Sequence, residues 1–303
     1  MESNFAPTTL RARVRSARSF LLTPGARPER FAAARSGGGD GIMVDLESTV
    51  AVADKQRARD AALAFLREPA QADFLRVLRI NSPHGVEGLR DLLALRESHD
   101  LPDALIIPKC ESPEDVLLVA DLLDEAQSSI GIVPMIELAR AVFVAEHIAS
   151  AHERVCGLFL GGGDLAADLG AEGSWENLLY ARSVIVAAAA TTGIAAIDVP
   201  YFKDDVDGLR REAMASRKLG MTGKAALRPE QLAEIDGIFT PSSDAVTRSR
   251  AIMAAVSSNA AGPVVLNGRL VEPAMVREAQ RVLAIAGRLQ DGPRAPAPRS
   301  LHT

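Results

Sequence analysis

Ile132–Ala141 reads IVPMIELARA, and Leu158–Gly170 reads LFLGGGDLAADLG. Each starts as an unbroken apolar run and ends it on a single acid, Glu137 in the first and Asp164 in the second. A strand with one solvated face alternates apolar and polar residues, whereas a strand covered on both faces does not. Unbroken runs therefore indicate a parallel sheet. The same kind of run recurs as SFLLTP (19–24), GIMVDLE (41–47), RVLRIN (76–81) and DALIIPK (103–109). It continues as IGIVPMIE (130–137), VCGLFLGGGD (155–164), IAAIDV (194–199) and MTGKAAL (221–227), which makes eight. Between runs lie segments such as DKQRARDAALAFLR (54–67) and SPEDVLLVADLLDEA (112–126), with apolar residues at helical spacing. The second opens with Ser112 as N-cap and Pro113 at the first helical position. Eight strand–helix units predict an α/β fold, a (β/α)8 TIM barrel over residues 18–240. An open dinucleotide-binding sheet fits less well, because no GxGxxG follows the first strand.

The flanks differ in character. Residues 1–17 are Arg-rich without an apolar run, and 291–303 are Pro-rich and polar, so both are expected to be disordered. Residues 241–290 predict two helices joined by a hairpin with its turn at Asn267-Gly268, a small C-terminal lid module. The 303 residues are 48% hydrophobic, 24% charged and 4% aromatic, so the core must be aliphatic. A net charge of −5 gives no reason to expect nucleic acid or an anionic membrane as partner. No apolar stretch reaches the ~20 residues that span a bilayer. Cys110 and Cys156 sit inside apolar runs and read as buried thiols, and a cytoplasmic location is expected.

In such a barrel the active site forms at the C-terminal ends of the strands. Arg27, Asp45, Glu47, Arg79, Asn81, Lys109, Glu137, Asp164, Asp198 and Lys224 fall there. Strands five and six are neighbours, so Glu137 and Asp164 should project side by side. Two carboxylates in a partly dry cleft repel, and either a divalent cation or a shared proton relieves the repulsion. Oxygen ligands with room for water favour Mg2+ over zinc. The glycines before Asp164 let a ligand approach the backbone closely. Arg79 would present a planar fork to a carboxylate or to developing negative charge. A guanidinium, a metal and a 2-oxo acid together suit carbon–carbon bond cleavage or formation next to a carbonyl. The histidines (84, 99, 147, 152 and 302) lie mostly away from this rim and read as surface groups.

The chain resembles the citrate lyase β-subunit-like family, within the HpcH/HpaI aldolase/citrate lyase superfamily. Members include malyl-CoA, citramalyl-CoA and related 3-hydroxyacyl-CoA lyases. The resemblance rests on RSFLLTPGARPERF, GIMVDLESTVAVADKQRAR, VLRIN, IIPKCES, PMIELARA, GGGDLAADLG, LLYARS, AAIDVPY, GMTGKAALRPEQ, FTPS and NGRLVEP, in that order. It implies Mg2+ on Glu137 and Asp164, with Arg79 as a catalytic residue beside Asp45 and Glu47. It further implies substrate or CoA contacts at Pro24, Gly25, Arg27, Lys55, Arg59, Lys109 and Gly163. The expected partners are an acyl-CoA and a 2-oxo acid, in a homotrimer or hexamer. The lid of a neighbouring subunit would then supply an acid, here Glu272. Four positions depart from the family pattern: Ser48 in DLESTV for an acid, GGGDL for GAEDL, Arg228 in LRPEQ for histidine, and Glu272 for aspartate. These departures leave room for a free or phosphorylated substrate, or for a binding protein without turnover.

Overall fold

The computed structural model describes residues 9–71, 73–123, 129–258 and 263–290; for 288–290 only the backbone is described. Strands β1 (Ser19–Pro24), β2 (Gly41–Asp45), β3 (Leu75–Arg79) and β4 (Ala104–Ile107) pair in parallel. β5 (Gly131–Ile136), β6 (Gly157–Leu160), β7 (Ala195–Asp198) and β8 (Gly223–Ala226) continue the order, and β8 returns to β1 to close the barrel. Each expected apolar run supplies one strand. The helix-periodic segments form α3 (Lys55–Leu66) and α5 (Pro113–Leu122), and the latter starts with a capping box between Ser112 and Asp115.

Alternation along the strands separates two apolar layers. Phe20, Met43, Leu75, Val77, Ile106, Val133, Phe159, Ile197 and Ala225 fill the barrel interior. Their neighbours, among them Leu21, Ile42, Val44, Leu78, Leu105, Ile132 and Leu158, pack outward under the helices. With few aromatics available, Phe20 and Phe159 are the bulkiest fully buried apolar groups.

The lead-in is a correction. Residues 1–8 lie outside the described residues, but Leu10–Ser16 forms a helix, α1, whose Thr9 side chain accepts the Ala12 N–H. Val14 is buried with the barrel interior, and Leu10 packs beside it. Arg13 pairs with Asp103 at 2.8 Å, and Arg15 donates to the Gly193 carbonyl at 3.1 Å. Leu10 lies close to Gly131, the first residue of β5, so α1 closes the end where the strands begin. The i, i+4 spacing of Leu10 and Val14 was the available signal, masked by the arginines around it. The expected tail, 291–303, lies outside the described residues.

Beyond the barrel come α12 (Ser243–Ser258), a hairpin of β9 (Val265–Leu266) and β10 (Arg269–Leu270), and α13 (Pro273–Gln290). Asn267 and Gly268, at φ 50° and 75°, make the two-residue turn that an Asn-Gly pair favours. The principal packing of α12 is on α13, and that of α13 is on α12 and α1. Among the described residues, no helix is long and apolar enough to cross a membrane.

Candidate active site at the barrel mouth

The register of β2 and β3 sets Asp45 opposite Arg79. Met43 and Val77, two residues earlier, face the interior, so Asp45 and Arg79 point inward at the mouth. Arg79 Nε donates to Asp45 Oδ1 at 2.6 Å, and Nη2 donates to Ser48 Oγ at 2.6 Å. Glu47 Oε2 lies 3.5 Å from Nη1. Asp45 also accepts the backbone N–H groups of Glu47 and Thr49, at 2.8 and 2.9 Å, and the Thr49 hydroxyl. Burial alone would raise the Asp45 carboxyl, but the Arg79 guanidinium and the Thr49 and Glu47 donors hold it below the ordinary carboxylate value. Burial likewise works against the charge on Arg79, and the bonds to Asp45 outweigh it, so the guanidinium stays a cation. Thr49 was not singled out from sequence, because the turn that folds it back onto Asp45 leaves no periodic trace.

Glu137 follows the last residue of β5 and is fully buried. Its Oε1 accepts the backbone N–H of Lys109 at 2.7 Å. Its Oε2 is buried and has no hydrogen-bond partner among the described residues. Gly161 makes room for this carboxyl: a Cβ there would lie 2.4 Å from both the Cβ and Oε2 of Glu137. Asp164 stands in the first turn of α8 (Gly162–Asp168), with its side chain 49% exposed. The Lys109 ammonium bridges the two acids, 2.6 Å from Asp164 Oδ1 and 3.5 Å from Glu137 Oε1. Burial pushes the Glu137 carboxyl up to about 7, against the pull of Lys109 and with the push of the Asp164 and Glu47 charges.

The two carboxylates therefore converge. The Lys109 ammonium stands between them, and no hydrogen bond between the two is found among the described residues. A buried, unpartnered oxygen on Glu137 beside a half-exposed Asp164 suits a hard divalent cation whose remaining ligands are water and substrate. Among the described residues no group of three His, Cys, Asp or Glu side chains could hold a metal, so the protein would contribute a pair of ligands.

The other expected site residues divide. Pro24 ends β1 opposite Asp45, and the Gly25 N–H donates to the Asp45 carbonyl at 2.7 Å. Arg27 is exposed, and Gly163 lies in open space beside Asp164. A cleft of about 310 Å3 lined by Pro24, Arg30, Thr49 and Leu227 opens nearby. Lys55 and Arg59, in contrast, are buried. Lys55 Nζ donates to the Leu46 and Glu47 carbonyls at 2.7 and 2.6 Å. Arg59 pairs with Asp91 and Glu87, both at 2.7 Å. Lys55 braces the loop that carries Glu47 and Ser48, Arg59 ties α3 to Glu87 and Asp91, and neither offers a free cation to a phosphate.

Asp198, Lys224 and Asn81 correct the expected rim. Ile197 and Ala225 face the interior, so Asp198 and Lys224 point outward. There they join Arg182 of α9 (Leu179–Thr192) and Glu212 of α10 (Val206–Leu219) in a buried ion network. Asn81 bonds Asp91 at 2.7 Å. Glu272 is exposed and makes no ion pair among the described residues.

Comparison with known proteins gives this geometry a family. The model of the HpcH/HpaI aldolase/citrate lyase family matches residues 18–229. The L-malyl-CoA/beta-methylmalyl-CoA lyase of Rhodobacter capsulatus is 33% identical over 297 residues, covering 88% of this chain and 93% of the relative. Citrate lyase subunit beta of Escherichia coli K12 is 30% identical over 287 residues, covering 90% and 94%. Among solved structures, CitE of Mycobacterium tuberculosis in complex with magnesium, acetoacetate and coenzyme A superposes with a TM-score of 0.71 at 29% identity. That match covers 90% of this chain and 99% of CitE. RipC of Yersinia pestis is 36% identical with a TM-score of 0.68, covering 76% of this chain and 98% of RipC. On the family match and on relatives aligned along most of its length, the chain belongs to the HpcH/HpaI aldolase/citrate lyase family and is a carbon–carbon lyase.

Proposed function

We propose that the chain cleaves or forms a 3-hydroxyacyl-CoA of malyl-CoA or citramalyl-CoA type through an enolate, with Mg2+ on Glu137 and Asp164. The observation that carries this reading is the unpartnered Glu137 oxygen, placed at one mouth with Asp164 and the Arg79 cation. The Mg2+ found with CitE and the activity of the malyl-CoA lyase relative support it. Bound there, Mg2+ would act as a Lewis acid toward the carbonyl of the departing 2-oxo acid.

The chain's own residues account for the rest. As the carbon–carbon bond breaks, the 3-hydroxyl loses its proton and becomes the oxo-acid carbonyl. Glu47, whose buried Oε2 lies beside Arg79 and accepts no hydrogen bond among the described residues, takes that proton. The bonding pair passes into the enolate of the acyl fragment, and Arg79 offsets the charge that develops there. Asp45 and Ser48 fix the fork of Arg79 from below, so little reorganisation accompanies the step. Glu272 of a neighbouring subunit, in a homotrimer or hexamer, returns a proton to the enolate carbon. The acyl-CoA enters past Arg27, along the cleft at Pro24 and Arg30.

Asp164→Asn tests the assignment: Mg2+-dependent turnover of malyl-CoA or citramalyl-CoA should disappear, and full retained activity refutes it. One observation favours a second reading, in which the substrate is a free hydroxy acid: Lys55 and Arg59 are committed to internal partners. Cleavage of free malate or citramalate, with no turnover of the CoA esters, decides for that alternative.

A further inference from the structure

Lys109 joins the two acids of the site in an unusual way. Its backbone sits at φ 54°, the left-handed region that non-glycine residues seldom occupy. In that conformation its N–H meets Glu137 Oε1 at 2.7 Å. The side chain of the same residue then crosses to Asp164 Oδ1 at 2.6 Å, passing within 3.5 Å of Glu137 Oε1. One residue thus orients the buried acid through its backbone and, with a single positive charge, offsets the repulsion between both acids through its ammonium. The second oxygen of Glu137 remains buried without a donor among the described residues. Two anions in this mouth repel unless a positive charge lies between them, and in this arrangement the protein provides that charge itself.

We infer that the Lys109 ammonium is a built-in occupant of the cation site, which a divalent cation must displace in order to bind Glu137 and Asp164. The inference rests on the Mg2+ site proposed above. Displacement is feasible because Asp164 is half exposed and the lysine arm is flexible: an ion pair of this kind is weak and easily exchanged for water. The dication then supplies more charge at the same place, while the backbone N–H keeps its hold on Oε1. Lys109 therefore sets a threshold for occupancy and partly offsets the negative charge of the metal-free site.

Mn2+ serves as the probe, with binding measured by calorimetry and by loss of the free-ion electron paramagnetic resonance signal. Three variants are compared with the wild type. Lys109→Gln keeps a long polar side chain, one atom shorter, on a non-glycine backbone but removes the charge. Lys109→Gly removes the charge and relieves the left-handed backbone. Asp164→Asn removes a ligand. Both Lys109 variants should bind Mn2+ about tenfold more tightly than the wild type, because no tethered cation has to leave first. Without metal they should melt below the wild type, and they should gain more from saturating Mn2+. Unchanged or weaker Mn2+ binding by Lys109→Gln overturns the inference. So does tightening in Lys109→Gly alone, which traces the effect to the backbone. If Asp164→Asn binds Mn2+ as well as the wild type, the metal site itself is misassigned and the inference fails with it. If Asp164→Asn loses the ion while Lys109→Gln is unchanged, the metal site stands and only the role of Lys109 is lost.

Discussion

At Arg79 the site depends on a charge that burial opposes and Asp45 restores. Asp45→Asn leaves the buried guanidinium without its counter-charge, a change that costs about 3–5 kcal/mol when one partner of a buried pair is removed. The cost depends on pH in a defined direction. Asp45 is held below its ordinary 3.8, so its contribution is complete above that pH and fades as pH falls through the lower folded value. The stability gap between wild type and Asp45→Asn should therefore be full near neutrality and narrow below pH 3.8. Urea unfolding across pH measures it, and a gap that stays constant contradicts the pairing. Arg79→Lys keeps the charge but loses the fork that spans Asp45 and Ser48. A fall in kcat on the order of a hundredfold, larger than any change in KM, is expected from steady-state kinetics. Arg79 and Asp45 were legible because each closes an apolar run. Lys55 and Arg59, expected as substrate or CoA contacts, have internal partners, and the sequence carried a signal for their burial. Together with Ala62 and Leu66 they occupy the i, i+4, i+7, i+11 face of α3 that the structure buries.

Among the elements, the strands were the most legible, since unbroken apolar runs need no partner to be recognised. Which way their polar residues point was less so. IAAIDV and MTGKAAL carry small or aliphatic residues on both faces, so nothing in them distinguishes inside from outside. The packing of Ile197 and Ala225 into the interior decides it, and sends Asp198 and Lys224 to the helix side. The junction of β6 and α8 shows another case, where GGGD was expected to admit a ligand close to the backbone and the approach found at it is that of the Glu137 side chain. Only Gly161 of that triplet has Glu137 against its α-carbon; Gly163 faces open space. Gly161→Ala should push the Glu137 carboxyl out of line and weaken Mn2+ binding by about 10–100-fold, the range seen when the support of a metal ligand is lost. Gly163→Ala should leave binding unchanged. Calorimetric titration of the two variants separates these outcomes, and equal behaviour would show that the triplet acts only as a flexible hinge.

For the whole molecule, the placement of the C-terminal helices raises the question of which chain completes each mouth. α13 packs on α1, and α1 closes the end of the barrel opposite the mouth that carries Asp45, Arg79 and Glu137. Arg281 of α13 lies close enough to Arg15 of α1 to depress its affinity for a proton, after burial the second influence on that guanidinium. Glu272, at the start of α13, is exposed on an arm whose main contacts are with itself and with α1. If the arm serves a neighbouring mouth in a ring, each active site joins one chain's Asp164 to another chain's Glu272. Asp164→Asn and Glu272→Gln should then each be inactive as pure assemblies. Mixed by co-expression or by refolding together, they should regain activity, because some mouths receive an intact barrel and an intact arm. Random assembly of equal amounts makes half the barrels and half the incoming arms intact, so recovery should reach about a quarter of wild-type turnover. If each chain's own arm served its own mouth, every mouth would carry one defect and mixing would restore nothing. Turnover of the mixture, beside each variant alone at the same total concentration, distinguishes the two architectures.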